Sequence, residues 1–146
     1  MNGDKGATAL LLSRCPEGDD DGFVSVAEVF GLELPCELVT LSACSSALGE
    51  QVTGEGLVGL TRGFLYAGAA SVVAALWDVP DRTTADLMHT FYAGLVSEQR
   101  AGGGRTASLA TAKRSLLRGD INETAGAPRC SHPYFWAAFV LSGDAL

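Results

Sequence analysis

Leu38-Val39-Thr40-Leu41-Ser42-Ala43-Cys44 runs into the small residues Ser45-Ser46-Ala47-Leu48-Gly49. Leu38 to Ala43 is short and mostly apolar, contains β-branched Val39 and Thr40, and lies between Pro35 and Gly49, a pattern that predicts a buried strand of a parallel sheet. Cys44 then falls at the C-terminal end of that strand, the edge where open α/β sheets bind ligands and present reacting side chains. Position alone leaves two roles open to it. It is either a nucleophile or a packing residue, because free cysteine is among the most buried residue types.

Downstream, Gln51 to Gly56 is expected to be a glycine-containing loop and Leu57 to Ala67 a helix. Leu57, Leu60, Thr61 and Phe64 make one helical face, while Gly56, Gly59 and Gly63 form a row that lets another backbone approach closely. Gly68 is placed to end the helix. Ser71 to Trp77 is apolar without alternation, as in a strand covered on both faces. Asp78-Val79-Pro80-Asp81 follows as a turn, with Asp81 as a cap for a helix whose inner stripe is Thr84, Leu87, Met88, Phe91, Tyr92 and Leu95. His89 lies off that stripe. Gln99 to Arg105 is a flexible connection, Thr106 is the expected cap of a helix through Arg118, and Leu109, Ala112 and Leu116 are its inward positions. Gly119 to Ser131 is loop, and Pro133 through Val140 leads into a last strand with His132 at the boundary.

Upstream, Ala7 to Ser13 with Leu10, Leu11 and Leu12 predicts a strand, and Met1 to Gly6 is polar, glycine-containing and expected to be disordered. Ser25-Val26-Ala27-Glu28 has the form of a capping box, so a short helix starts there, buries Val26, Val29 and Phe30, and stops at Gly31. Asp19-Asp20-Asp21 lacks the ligand spacing of a calcium-binding hand and reads as a solvated acidic loop. No metal and no cofactor are expected. Strands alternating with helices favour a three-layer α/β sandwich.

At 146 residues, with 47% hydrophobic and 18% charged side chains, the chain suits one domain with one substantial core. The net charge of −7, with no Lys/Arg cluster, disfavours nucleic acid and favours a basic peptide or protein partner. No apolar run approaches the roughly 20 residues needed to span a bilayer, so no membrane insertion is expected. Cys15, Cys36, Cys44 and Cys130 show neither a paired motif nor zinc-like spacing, which points to reduced thiols and a cytoplasmic location.

Several blocks in order, Leu41-Ser42-Ala43-Cys44, Gly54-Glu55-Gly56-Leu57, Phe64-Leu65-Tyr66-Ala67-Gly68-Ala69, Ser71 to Val79, Thr84 to Met88 and His132 to Leu141, closely resemble the CHAT family. These are caspase-like domains related to separase and often joined to tetratricopeptide repeats. The resemblance runs from about Ala7 onward and implies a single partial CHAT domain over residues 1–146. Its fold would be a three-layer α/β/α caspase-like sandwich with a mostly parallel sheet and its N-terminal strands missing. It implies a cysteine endopeptidase with Cys44 as nucleophile, a protein or peptide substrate, and a tetratricopeptide-repeat region in the same or a partner chain. Leu76-Trp77-Asp78-Val79-Pro80-Asp81 also looks like the Leu-Trp-Asp-Val-Thr-Asp segment of separases, which cleave after arginine. Asp78 and Asp81 are therefore candidates to pair with a basic side chain before the cleaved bond. The structural alternative is that Asp81 only caps its helix and Asp78 only closes the turn.

A cysteine peptidase needs an imidazole to lower the thiol's pKa from about 8.5 and to protonate the leaving amine. In the resembled family it comes from a His-Gly motif on the strand before the cysteine strand, yet the chain contains only His89 and His132 and no His-Gly. The isolated chain is therefore expected to be inactive, and a non-catalytic interaction module is the alternative function. Other cysteine chemistries fit less well. A tyrosine-phosphatase loop needs arginine where Glu50 stands, an amidotransferase needs His-x-Glu where His132-Pro133-Tyr134 stands, and no phosphate-binding loop with Gly-Lys-Ser/Thr occurs.

Overall fold

A computed structural model of the chain describes residues 9–12, 22–42, 54–101, 104–120 and 131–145. The fold is α/β. Ten elements follow one another: β1 (Ala9–Leu11), β2 (Phe23–Ser25), α1 (Val26–Phe30), β3 (Val39–Leu41), α2 (Gly54–Tyr66), β4 (Ser71–Ala75), α3 (Asp81–Ala101), α4 (Arg105–Arg118), α5 (Pro133–Trp136) and β5 (Phe139–Gly143). The expectations for Met1 to Gly6 and for the acidic loop at Asp19 to Asp21 lie outside the described residues.

The central strand is β4, whose Ser71, Val72, Val73 and Ala74 are all buried. Its side chains alternate between two apolar cores, as a strand's two-residue period requires. Val72 and Ala74 join Val29 of α1, Leu60 and Phe64 of α2 and Leu41 of β3 in one core. Val73 joins Leu87 and Phe91 of α3, Leu109, Ala112 and Leu116 of α4, and Phe139 of β5 in the other. Helices therefore cover β4 from both sides, which is why its sequence reads as an unbroken apolar run.

β3 pairs with β4 in parallel, Val39 opposite Val72 and Leu41 opposite Ala74, and β5 pairs with the other side of β4 in antiparallel, Phe139 opposite Ala75 and Gly143 opposite Ser71. The expected mostly parallel sheet is thus mixed among the described residues, and the connection explains the difference. A single crossover helix returns the chain to the start of the sheet and yields a parallel strand. Here two long helices, α3 and α4, with only residues 102–104 between them, precede the one-turn α5 on the way from β4 to β5. They pack together, Gly94 lying against Ser108, so the second helix carries the chain back to the far end and β5 must run the other way.

Two further departures come from short elements. Phe23–Ser25 forms a strand antiparallel to β1, Leu10 opposite Val24, although three residues are too few to show a period. Pro133 opens one helical turn, α5, where the aromatic run had suggested an approach to a strand, because its fixed φ suits the first helical position. Two caps behave differently as well. Ser25 and Glu28 form the expected capping box, with both reciprocal hydrogen bonds present, while α4 has Gly104 at its N-cap and Thr106 instead donates its hydroxyl to the Ala145 carbonyl.

The glycine row of α2 meets α1 as its spacing implies. A Cβ at Gly63 would lie 2.9 Å from Val29 Cγ1, whereas one at Gly59 would make an ordinary 3.5 Å contact with Val26. This close approach keeps Val29 fully buried, although Phe30, expected inside, is exposed and stacks obliquely on Tyr66. Gly68 ends the row's helix at φ +111°, a conformation that a side chain would strain. The two similar glycines should respond oppositely to alanine. Gly59→Ala is expected to stabilise by up to about 1 kcal/mol through helix propensity. In Gly63→Ala, overpacking of about 1–3 kcal/mol outweighs the same gain. Urea unfolding checks both, and a Gly63→Ala/Val29→Ala double-mutant cycle with no coupling would disprove the close approach.

Candidate functional site

The parallel pairing brings the C-terminal ends of β3 and β4 side by side. β3 ends at Leu41, three residues before Cys44, and Cys44 itself lies outside the described residues. β4 ends at Ala75 and passes directly into the loop of residues 76–80, which leads to α3.

That loop is held by a one-turn helix. Leu76 N–H donates to the Ala138 carbonyl at 2.9 Å, Trp77 Nε1–H to the Tyr134 carbonyl at 2.9 Å, and Tyr134 O–H to the Asp78 carbonyl at 2.7 Å. Val79 anchors the loop from below, buried in the same core as Ala138 and Phe139. α5 is in turn fixed by His132, whose Nδ1 accepts the Tyr134 N–H at 3.2 Å, and by Trp136 Nε1–H on the Ser131 carbonyl at 3.1 Å. The loop is therefore bonded at three consecutive residues, through the Leu76 N–H, the Trp77 indole and the Asp78 carbonyl, while Trp77 and Asp78 stay exposed.

The two candidate carboxylates occupy different settings. Asp78 is an exposed loop residue whose carbonyl is committed to Tyr134. Asp81 is the first residue of α3, one position inside the cap that the sequence suggests, where the exposed backbone N–H groups of the first turn favour a negative charge. Neither histidine has the setting of a general base in what is described. His89 is exposed on α3, and His132 uses the Nδ1 lone pair to cap α5.

The opposite end of the sheet is a structural tie. Arg105, at the start of α4, pairs with Glu37 just before β3 and reaches Asp144 just after β5 at 4.0 Å. The Arg105 side chain is 12% exposed, so the pair is partly shielded from solvent. A further cross-link joins the Thr40 hydroxyl of β3 to that of Tyr92 on α3 at 2.8 Å. On α4, burial lowers the pKa of the Lys113 ammonium because desolvation penalises the charged form. Cys36 is a free, half-buried thiol beside the α2 core, and the other three cysteines lie outside the described residues. Among the described residues no cluster of three or more metal-binding side chains occurs, and no helix is long and apolar enough to cross a membrane.

The CHAT domain family matches residues 2–144, almost the whole chain. The chain belongs to the CHAT domain family. Tetratricopeptide repeat protein 28 of Mus musculus is 38% identical over 121 residues, 83% of this chain, and its Homo sapiens counterpart is 33% identical over 133 residues, 91% of this chain. This CHAT domain spans only 4% and 5% of the length of those two relatives. No solved structure matches it significantly.

The sequence singles out Asp78 and Asp81 as candidates but does not announce the clamp that Tyr134 and Trp77 make around the first. Its only signal was the aromatic density of residues 134–136, which also suits a core. Tyr134→Phe deletes one hydroxyl and leaves the ring. It is expected to cost about 0.5–1.5 kcal/mol in urea unfolding and to speed amide exchange at Val79. Unchanged exchange there would show that the hydroxyl does not hold the loop.

Proposed function

We propose that this CHAT domain is the nucleophile-bearing part of a caspase-like cysteine endopeptidase with a three-layer α/β/α arrangement. In it, Cys44 attacks the carbonyl of a basic residue that precedes the cleaved bond, and Asp78 and Asp81 receive that residue's side chain. The observation that carries this is the parallel β3–β4 pairing: Leu41 lies opposite Ala74, so the chain leaves β3 toward Cys44 at the same edge where it leaves β4 toward Asp78. Family membership supports the same assignment.

The chemistry divides between groups that the chain has and one that it lacks. Attack by the Cys44 sulfur on the peptide carbonyl gives a thioester and releases the amine, which takes a proton; water then cleaves the thioester and frees the thiol. Carboxylates beside the site would hold a guanidinium in two parallel hydrogen bonds. An imidazole that removes the thiol proton and returns it to the amine is worth about 10²- to 10⁴-fold. With His89 exposed on α3 and His132 engaged in capping, the isolated chain should not cleave peptides.

The same two histidine settings favour one other function, a non-catalytic interaction module. The names of the relatives suggest a tetratricopeptide-repeat region, in the same or a partner chain, as the physical neighbour of the domain in either case. A reducing, cytoplasmic setting would keep the Cys44 thiol usable.

Fusing a CHAT-family segment that contains a His-Gly strand upstream of this chain separates the two. Peptidase function requires the fusion to cleave arginyl peptides, Cys44→Ala to abolish cleavage, and Asp78→Ala with Asp81→Ala to reduce the preference for arginine over neutral residues by about tenfold or more, as expected when a charge-assisted hydrogen bond of about 1.5–3 kcal/mol is lost. Cleavage that survives Cys44→Ala rejects the nucleophile. A folded but inert fusion leaves the interaction module as the function.

A further inference from the structure

The edge that carries Asp78 also carries an indole whose orientation is fixed. Trp77 stands next to Asp78, remains 38% exposed, and has its Nε1–H tied to the Tyr134 carbonyl at 2.9 Å. Tyr134 is 45% exposed and its hydroxyl is bonded to the Asp78 carbonyl. Leu76, the first loop residue, is 49% exposed. Burial does not explain why a tryptophan stands in a surface turn, since its neighbour Val79 supplies the anchor to the core. Its Nε1–H helps to hold the turn, but Leu76 N–H, bonded to Ala138 just before β5, and the Tyr134 hydroxyl of α5, bonded to Asp78, hold it from either side as well, so the exposed face of the ring is left without a structural task.

A partly exposed aromatic face beside a carboxylate is a receptor for a planar cation. A guanidinium can lie flat on an indole while its edge N–H groups meet a carboxylate, whereas an ammonium is a compact, strongly hydrated point charge that gains less from the flat face. Pinning the indole matters for this selectivity, because a ring already ordered loses little side-chain entropy when the ligand arrives. The net charge of −7 adds a general attraction for cations but does not distinguish one kind from another.

We propose that Trp77 is a specificity-determining residue that selects arginine over lysine at this edge, by stacking on the guanidinium with which Asp78 pairs, and that Tyr134 positions it. The inference rests on the proposed role of Asp78 as a receiver of basic side chains. It adds the discrimination between the two kinds of basic side chain. It does not depend on catalysis and can be tested by binding.

The chain has two tryptophans and hence two indole N–H signals in a ¹⁵N spectrum, and Trp77→Phe assigns them. The full chain is titrated with three acetylated tetrapeptide amides identical except for a last residue of arginine, lysine or citrulline, the last being the uncharged shape-mimic of arginine. The arginine peptide is expected to bind best and to shift the Trp77 signal. Trp77→Leu is expected to lower the arginine-to-lysine affinity ratio about two- to five-fold, the size of an exposed cation–π contact. Trp77→Phe, which keeps an aromatic face, should retain most of that ratio.

Citrulline binding as well as arginine would remove the carboxylate role and this inference with it. Arginine favoured over citrulline, with an arginine-to-lysine ratio unmoved by Trp77→Leu, would overturn the inference alone and leave Asp78 standing. No binding of any of the three peptides would overturn both.

Discussion

The architecture of this domain depends on one strand being buried on both faces. β4 cannot exist as a surface element: Ser71 to Ala74 are all buried, and one face needs α1 and α2 while the other needs α3 and α4. Once both covers are in place, the only open parts of the strand are its two ends. One end is closed by Arg105 with Glu37 and Asp144, which ties the approaches to β3, α4 and the exit of β5 together. The remaining end is left for loops, and it is the end toward which Cys44, Trp77, Asp78 and Asp81 lie in sequence. A strand terminus suits a candidate site for this reason: a rigid strand fixes the position of its last residue, and the loop beyond it is free to vary.

Most of that frame could be read from the residues because burial writes itself into period and composition. The unbroken run Ser71-Val72-Val73-Ala74 gave away a doubly covered strand, the Leu87, Phe91 stripe gave α3, and Gly59 with Gly63 signalled the approach of α1. Local hydrogen-bond chemistry was equally legible where both partners are near in sequence, as in the Ser25–Glu28 capping box. Legibility fails when partners are far apart or the element is too short to repeat. The Thr106–Ala145, Thr40–Tyr92 and Tyr134–Asp78 hydrogen bonds link residues dozens of positions apart, and no local pattern announces them. β2 and α5 are three and four residues long, scarcely more than one repeat of a strand's alternation or a helix's turn, so neither pattern recurs. The direction of β5 escaped for a different reason. It is decided by whether the intervening chain makes one helical pass or two, and the glycines at 102–104 that separate α3 from α4 read equally well as an ordinary linker.

The residues of the candidate site were visible in the sequence, but their arrangement was not. An acidic pair after an apolar strand is visible as letters, whereas the clamp that makes the loop rigid is assembled from a carbonyl, an indole and a phenol on two separate segments. α5 is also a case of local chemistry serving a remote end. Pro133 and the His132 side chain make a single turn possible where nucleation is otherwise costly, and that turn exists to present one carbonyl and one hydroxyl to the β4–α3 loop. His132 is thereby drawn into structure, its Nδ1 lone pair committed to the Tyr134 N–H.

The two carboxylates of this loop are not interchangeable as receivers of a cation. Asp81 sits in the first turn of α3, a helix of 21 residues, where the aligned peptide dipoles give the N-terminus a partial positive charge that stabilises an anion by about 0.3–1 kcal/mol at an exposed position. That same partial charge opposes an incoming guanidinium, so part of what Asp81 offers a cation is cancelled by the helix it begins. Asp78 stands before the helix, in a loop whose carbonyl at that residue already accepts the Tyr134 hydroxyl, and its exposed position beside Trp77 has no such opposing dipole in its own turn. When the Asp78→Ala and Asp81→Ala variants are compared one at a time, Asp78→Ala should therefore cause the larger loss of arginine preference, and raising the salt concentration should weaken both contributions because both carboxylates are solvent-exposed. Equal losses from the two variants would mean that the dipole of α3 is screened at this edge and that the pair acts as one diffuse negative patch.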